Sequence, residues 1–187
     1  MVYRLFFAIP LTDDCKTALQ APFRHQKHYG IRWVKKENLH ITLHFIGAVK
    51  DYRPLGFSAA VDAACNQFSP FELQLSGFRA VLKGSKPSMI WAQFEQQPQF
   101  DHLCTALSRI FPGDESRKPV PHVSLARIRQ LHQLPFELPG TPAYTLKVGT
   151  VALWNTTLLE TGAEYQCLSS WKLKAALRGL GPDDSSR

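Results

Sequence analysis

Apolar and polar residues alternate along this chain in short bursts, and most bursts end at a glycine, a proline or a polar cluster. "YRLFFAI" (3–9) is aromatic and branched, which predicts a buried strand ended by Pro10. Thr12 and Asp13 are cap-type residues, and the segment after them reads as a helix that Pro22 breaks or kinks. Alternation over 39–46 predicts a strand stopping at Gly47, and the alanine-rich segment 53–68 reads as a helix. "FELQLSGFRAVL" and "MIWAQF" (89–94) are predicted strands around the turn "KGSKPS", followed by a helix of period 3.6 over 99–111. After the polar loop "GDESRKP" comes a strand over 121–128. An irregular linker, "LPFELPGTP", then leads to a closing strand pair, "YTLKVGTVALWNTTLL" and "AEYQCLSSWKL". Residues 179–187 read as a frayed tail, which leaves 1–178 as one domain.

This pattern contains a repeat. Strand, helix and a strand beginning at His40 match strand "MIWAQF", helix and a strand beginning at His122, 82 positions later. The expected architecture is α+β and bilobal: two pseudo-symmetric lobes of antiparallel sheet, helices on the outer faces, and a cleft between them.

In register, the two units carry "LHITLHF" and "PHVSLAR", each His-apolar-hydroxyl-Leu. On a strand, side chains two positions apart share a face at about 6.6 Å, so His40 and Thr42 point one way and Ile41 and Leu43 the other. His122 and Ser124 repeat this. Two imidazoles suit a reaction that deprotonates water while protonating an alkoxide leaving group, because one ring can be neutral and the other charged near neutral pH. Two hydroxyls can donate to phosphate oxygens as charge builds on them. Hydrolysis of a cyclic phosphate fits this set, and the scheme calls for no metal and no cofactor. His40 and His44 also spell H-x-x-x-H, a helical metal-ligand spacing. On a strand those rings lie about 13 Å apart, too far for one ion, so His44 is read as a neighbour of the site or a structural residue.

Composition narrows the partner. With 44% hydrophobic and 20% charged residues and no long apolar run, the chain reads as a soluble globular protein with no membrane partner. Four scattered cysteines and an N-terminus that reads as a strand rather than a leader suit the cytoplasm. A net charge of +7 favours anions, and Arg32, Lys35 and Lys36 precede the first motif while Arg127 and Arg129 follow the second. Trp33, Phe45, Phe7 and Trp91 are aromatic candidates for stacking on a base, with core packing as the competing role, above all for Phe7, Phe45 and Trp91.

These motifs and their flanks resemble the two-histidine phosphoesterase superfamily, and more closely its bacterial RNA 2′,3′-cyclic phosphodiesterases, also called 2′-5′ RNA ligases (LigT-like). "YRLFFAI", "IRWVKKENLHITLHFIG", "MIWAQF", "PHVSLAR" and the final Trp171–Leu173 follow that family's order across nearly the whole chain. The resemblance implies that His40 is the general acid protonating the leaving 3′-oxygen and His122 the general base activating water, with Thr42 and Ser124 holding the phosphate. It implies hydrolysis of a 2′,3′-cyclic phosphate end of RNA or oligonucleotides to a 2′-phosphomonoester; tRNA fragments are one candidate substrate, and a monomer is the default for a bilobal chain with its site inside one subunit. The 2′-5′ ligation of RNA ends and a purely phosphate-binding module are the alternatives. Arg127 matches a position the family associates with substrate contact, although simple strand parity puts it opposite His122 and Ser124 unless a bulge intervenes. Trp33, Phe45 and His44 complete the candidate substrate contacts.

Overall fold

The computed structural model describes residues 2–50, 57–111, 118–159 and 162–174. Its strands are β1 (Tyr3–Pro10), β2 (Ile31–Trp33), β3 (His40–Val49), β4 (Phe71–Lys83), β5 (Lys86–Phe94), β6 (His122–Ile128), β7 (Thr145–Val148), β8 (Thr150–Leu159) and β9 (Gly162–Lys172). The helices are α1 (Asp13–Gln20), α2 (Phe57–Cys65) and α3 (Pro98–Ile110). The expected tail and residues 53–56 of the expected second helix lie outside the described residues.

All the pairings are antiparallel, in the order β7-β4-β5-β6-β3-β1-β8-β9, with β2 added to the end of β6 beyond its contact with β3. The α+β architecture read from the repeat is therefore present. Strands β4 to β7 form one half and β1, β3, β8 and β9 the other. They meet where Ile41 pairs with Val123.

Local chemistry accounts for the element ends. The Thr12 hydroxyl caps α1 by accepting from the Cys15 N–H at 3.3 Å. Pro22 does not kink this helix. It sits in the first turn of a separate one-turn 3-10 segment, Ala21–Phe23, where its missing N–H leaves nothing unpaired. Strand β3 continues past the predicted stop because Gly47 takes φ +88 within it and still pairs with Leu5. The three-residue β2 was not predicted, being too short to show a period.

One face of the sheet carries the core. Leu5, Phe7, Ile9, Ile41, Leu43, Ile90, Ala92, Val123 and Leu125 are buried there in a single cluster reaching Leu103 and Leu107 of α3. Phe7 is fully enclosed, 6.0 Å from the Phe111 ring and 6.1 Å from Trp171. A phenylalanine so placed is worth about 3–5 kcal/mol against alanine. With the helices on that side, the other face is left open around the junction of β3 and β6.

Candidate active site

The Ile41–Val123 pair fixes what faces what. Extended one residue either way, the antiparallel register sets His40 across from Ser124 and Thr42 across from His122. Ile41 and Val123 point into the core, so these four side chains share the opposite, open face. The histidines occupy one diagonal of the quadrilateral and the hydroxyls the other. Diagonal neighbours on such a pair lie about 7–8 Å apart, which leaves room for one phosphate at the centre.

Both rings are oriented in the same way. His40 Nδ1 lies 2.7 Å from the Asn38 carbonyl oxygen and His122 Nδ1 lies 2.8 Å from that of Val120. Because a carbonyl only accepts, Nδ1 carries the proton and Nε2 is left to exchange one with a ligand. Asn38 is itself buried and held by its side-chain donation to the Ala163 carbonyl at 2.9 Å. Burial dominates both titrations. It lowers the His40 pKa to about 4 against the partial support of the Asn38 carbonyl, and the nearby His122 lowers it further. Burial likewise lowers that of His122, with the Val120 carbonyl opposing. In the empty cleft both rings are therefore neutral at pH 7.

Their surroundings differ. His122 stacks on Trp91, with centroids 3.6 Å apart and planes at 20°. His40 lies among Phe6 (4.9 Å), Tyr165 (5.1 Å) and Trp154 (5.7 Å). These three aromatics, with Ala8 and Ala152, form a small apolar cluster of their own.

A pair of bulges decides the remaining placements. On β3, Ala8 faces Thr42 while Phe7 faces His44, so Leu43 is skipped. On β6, Trp91 faces Ser124 while Ile90 faces Ala126, so Leu125 is skipped. Each bulge reverses the alternation beyond it. Accordingly the first six residues of the two strands show one burial pattern, with Leu43, His44, Leu125 and Ala126 buried and Phe45 and Arg127 exposed.

Arg127 thus joins His122 and Ser124 on the open face, the bulge supplying the exception to simple parity. Phe45 does the same beside His40. It is 63% exposed, 5.9 Å from Phe6, and is not the core residue that parity favoured. His44 faces the core instead, 2.6 Å from the Phe111 carbonyl oxygen, so the structure corrects its reading as a substrate contact. Trp33 is corrected too. Its position pairs with buried Ala126, its indole donates to the Gln26 carbonyl at 2.7 Å, and its ring packs 5.0 Å from Phe23. Trp91, expected in the core, stands on the open face. Tyr165, Trp154 and Arg32 went unassigned, because only pairing to β1, β8 and β6 brings them to the cleft. Among the described residues, no three His, Cys, Asp or Glu side chains come together as a metal-ligand group.

The open antiparallel face thus carries two equivalent histidine–hydroxyl pairs, one from each half of the sheet. The family model described as "LigT like Phosphoesterase" matches residues 12–91 of this chain. A protein of Geobacillus stearothermophilus named RNA 2′,3′-cyclic phosphodiesterase is 28% identical over 93% of this chain, and the chain spans 58% of its length. A relative of the same name from Aeropyrum pernix is 28% identical over 81% of this chain and 92% of its own. The crystal structure of TT0787 from Thermus thermophilus shares the fold with a TM-score of 0.76 at 23% identity, covering 91% of this chain and 97% of that one.

Proposed function

We propose that the protein hydrolyses the 2′,3′-cyclic phosphate end of RNA or an oligonucleotide to a 2′-phosphomonoester. The diagonal arrangement of the histidines carries this reading. With phosphorus at the centre of the quadrilateral, His40 and His122 lie on opposite sides of it, as an in-line displacement requires of base and acid. His122 Nε2 takes a proton from water, the water oxygen bonds to phosphorus, and the bond to the 3′-oxygen breaks. His40 Nε2 gives its proton to that oxygen, and Thr42 and Ser124 donate to the two non-bridging oxygens from the other diagonal.

Neutral histidines in the empty cleft are compatible with this. A bound phosphate anion favours the charged form of a neighbouring imidazole, so the donor acquires its proton as substrate binds. With a 5′-hydroxyl in place of water, the same displacement at the cyclic phosphate would form a 2′-5′ linkage as the bond to the 3′-oxygen breaks. Hydrolysis is preferred because water has open access to this face.

The test is an oligonucleotide ending in a 2′,3′-cyclic phosphate, incubated with the protein in EDTA. The expected product is the 2′-phosphate, formed by the wild type and lost by at least about a hundredfold in both His40→Ala and His122→Ala. Full activity in either variant, or a 3′-phosphate product, would exclude the mechanism.

A further inference from the structure

We propose that Trp91 is a positioning residue for the base: its indole face holds the His122 ring and stabilises the positive charge that ring gains on taking a proton from water. The inference rests on the cyclic-phosphodiesterase reading. Trp91 of β5 stands in register with Ser124, and Gln93 with His122, so the indole reaches His122 along the diagonal of the strand pair. The two rings lie nearly parallel, with centroids 3.6 Å apart and planes at 20°. The indole Nε1 is buried and donates to no acceptor among the described residues, so no hydrogen bond dictates where that ring sits. Its contact with His122 is made through the face, where the π electrons lie.

A base that becomes charged in a buried place needs a counter-charge, and a carboxylate is the ordinary one. Among the described residues none pairs with His122. In register around the ring stand His40 and Thr42 on β3 and Gln93 on β5, with Arg127 further along β6 and Arg79 of β4 facing Trp91. These groups are neutral or positive. Glu95, just past the end of β5, is exposed and forms no ion pair with the ring, and Asp101 of α3 is taken by Lys118 at 3.2 Å. The attraction left to an imidazolium at His122, apart from the substrate's own phosphate, is the indole face. His40 has no equivalent. Strand β1 places Ala8 across from Thr42, and the rings around His40 lie at 4.9 to 5.7 Å, with Tyr165 edge-on at 88°.

The effect on rate depends on pH. Where both rings are neutral, the fraction of protein with its proton on His40 does not depend on the basicity of His122, so a stronger base raises the rate. At lower pH the same attraction draws the single proton onto the ring that must stay free. Trp91 therefore adds rate on the alkaline side of the profile and helps to set where the alkaline limb falls.

The experiment replaces Trp91 alone by mono-, di- and trifluorotryptophan, which keeps the shape of the ring while fluorine withdraws electron density from its face. His122 is titrated by NMR in the free protein, and kcat and KM are measured against pH on an oligonucleotide ending in a 2′,3′-cyclic phosphate. Each added fluorine is expected to move the His122 midpoint to lower pH, by about one pH unit across the series, and the alkaline limb of kcat/KM with it. At pH 8 kcat is expected to fall about threefold across the series, with KM little changed. A His122 midpoint that stays in place as the face is drained overturns the inference, because packing is kept throughout. A falling rate with an unmoved midpoint and limb overturns it equally. A wild type that hydrolyses no cyclic phosphate overturns the cyclic-phosphodiesterase reading and the base step with it, and the titration, which needs no turnover, separates that failure from a failure of Trp91 to act on His122.

Discussion

His40 and His122 share one motif, one backbone contact and one position at the head of a strand, yet different rings lie against them. Trp91 stands across from Ser124, and its counterpart across from Thr42 is Ala8. The indole face under His122 favours an imidazolium there, whereas His40 is held among Phe6, Tyr165 and Trp154. The proton inventory of the empty site consequently does not choose the donor, and the leaving group has to. A cyclic phosphate in which sulfur replaces the bridging 3′-oxygen supplies that choice, because a thiolate departs without protonation. With His40 as the donor, the sulfur substrate is expected to restore most of the activity of His40→Ala and little of that of His122→Ala. Product release followed by thiol titration reads the result, and the inverse pattern would exchange the two roles.

At the scale of the element, alternation made the tetrad legible and also limited what else could be read. His40, Thr42, His122 and Ser124 precede the bulges, so a period of two places them correctly from sequence alone. Phe45 and Arg127 follow the bulges, where one extra residue reverses the face, and neither Leu43 nor Leu125 differs chemically from an ordinary core leucine. His44 and Trp33 misled for a related reason: a polar or amphipathic side chain beside a motif looks functional, while its carbonyl partner, Phe111 or Gln26, is distant in sequence. The repeat itself was visible because strand, helix and motif recur in the same order. Strand β2 was hidden by its length, although it brings Arg32 to the cleft. Its docking turns on Gly30, which sits at φ +84 with a Cβ position only 2.6 Å from the Arg129 carbonyl oxygen. That same residue's carbonyl accepts from the Arg129 N–H at 2.8 Å. Gly30→Ala is expected to destabilise the fold by about 1–3 kcal/mol, measured as a lower urea midpoint with an unchanged m-value. A variant as stable as the wild type would show that β2 is not held as described.

At the scale of the whole molecule, each half of the sheet contributes one histidine and one hydroxyl, and the direct pairing of Ile41 with Val123 brings them together. The halves are therefore coupled electrostatically, each imidazolium disfavouring the other. The proposed reaction needs one ring charged and one neutral. Burial lowers both pKa values below 6.5, so in the free enzyme the singly protonated state is most populated on the acid side of that value. Since kcat/KM reports the free enzyme, its profile is expected to be a bell with its maximum below pH 6.5. As pH rises through the upper of the two values the proton leaves, the donor is lost and kcat/KM declines. As pH falls toward the lower value, near or below 4, the second ring charges and the base is lost. Bound substrate adds a negative phosphate that stabilises the imidazolium, so the alkaline limb of kcat, which reports the complex, is expected at higher pH than that of kcat/KM. Initial rates across pH 4–9 at constant ionic strength give both profiles. An alkaline limb of kcat/KM above pH 7 would mean that the empty cleft does not hold its histidines neutral, and the two limbs coinciding would mean that the phosphate does not recharge them.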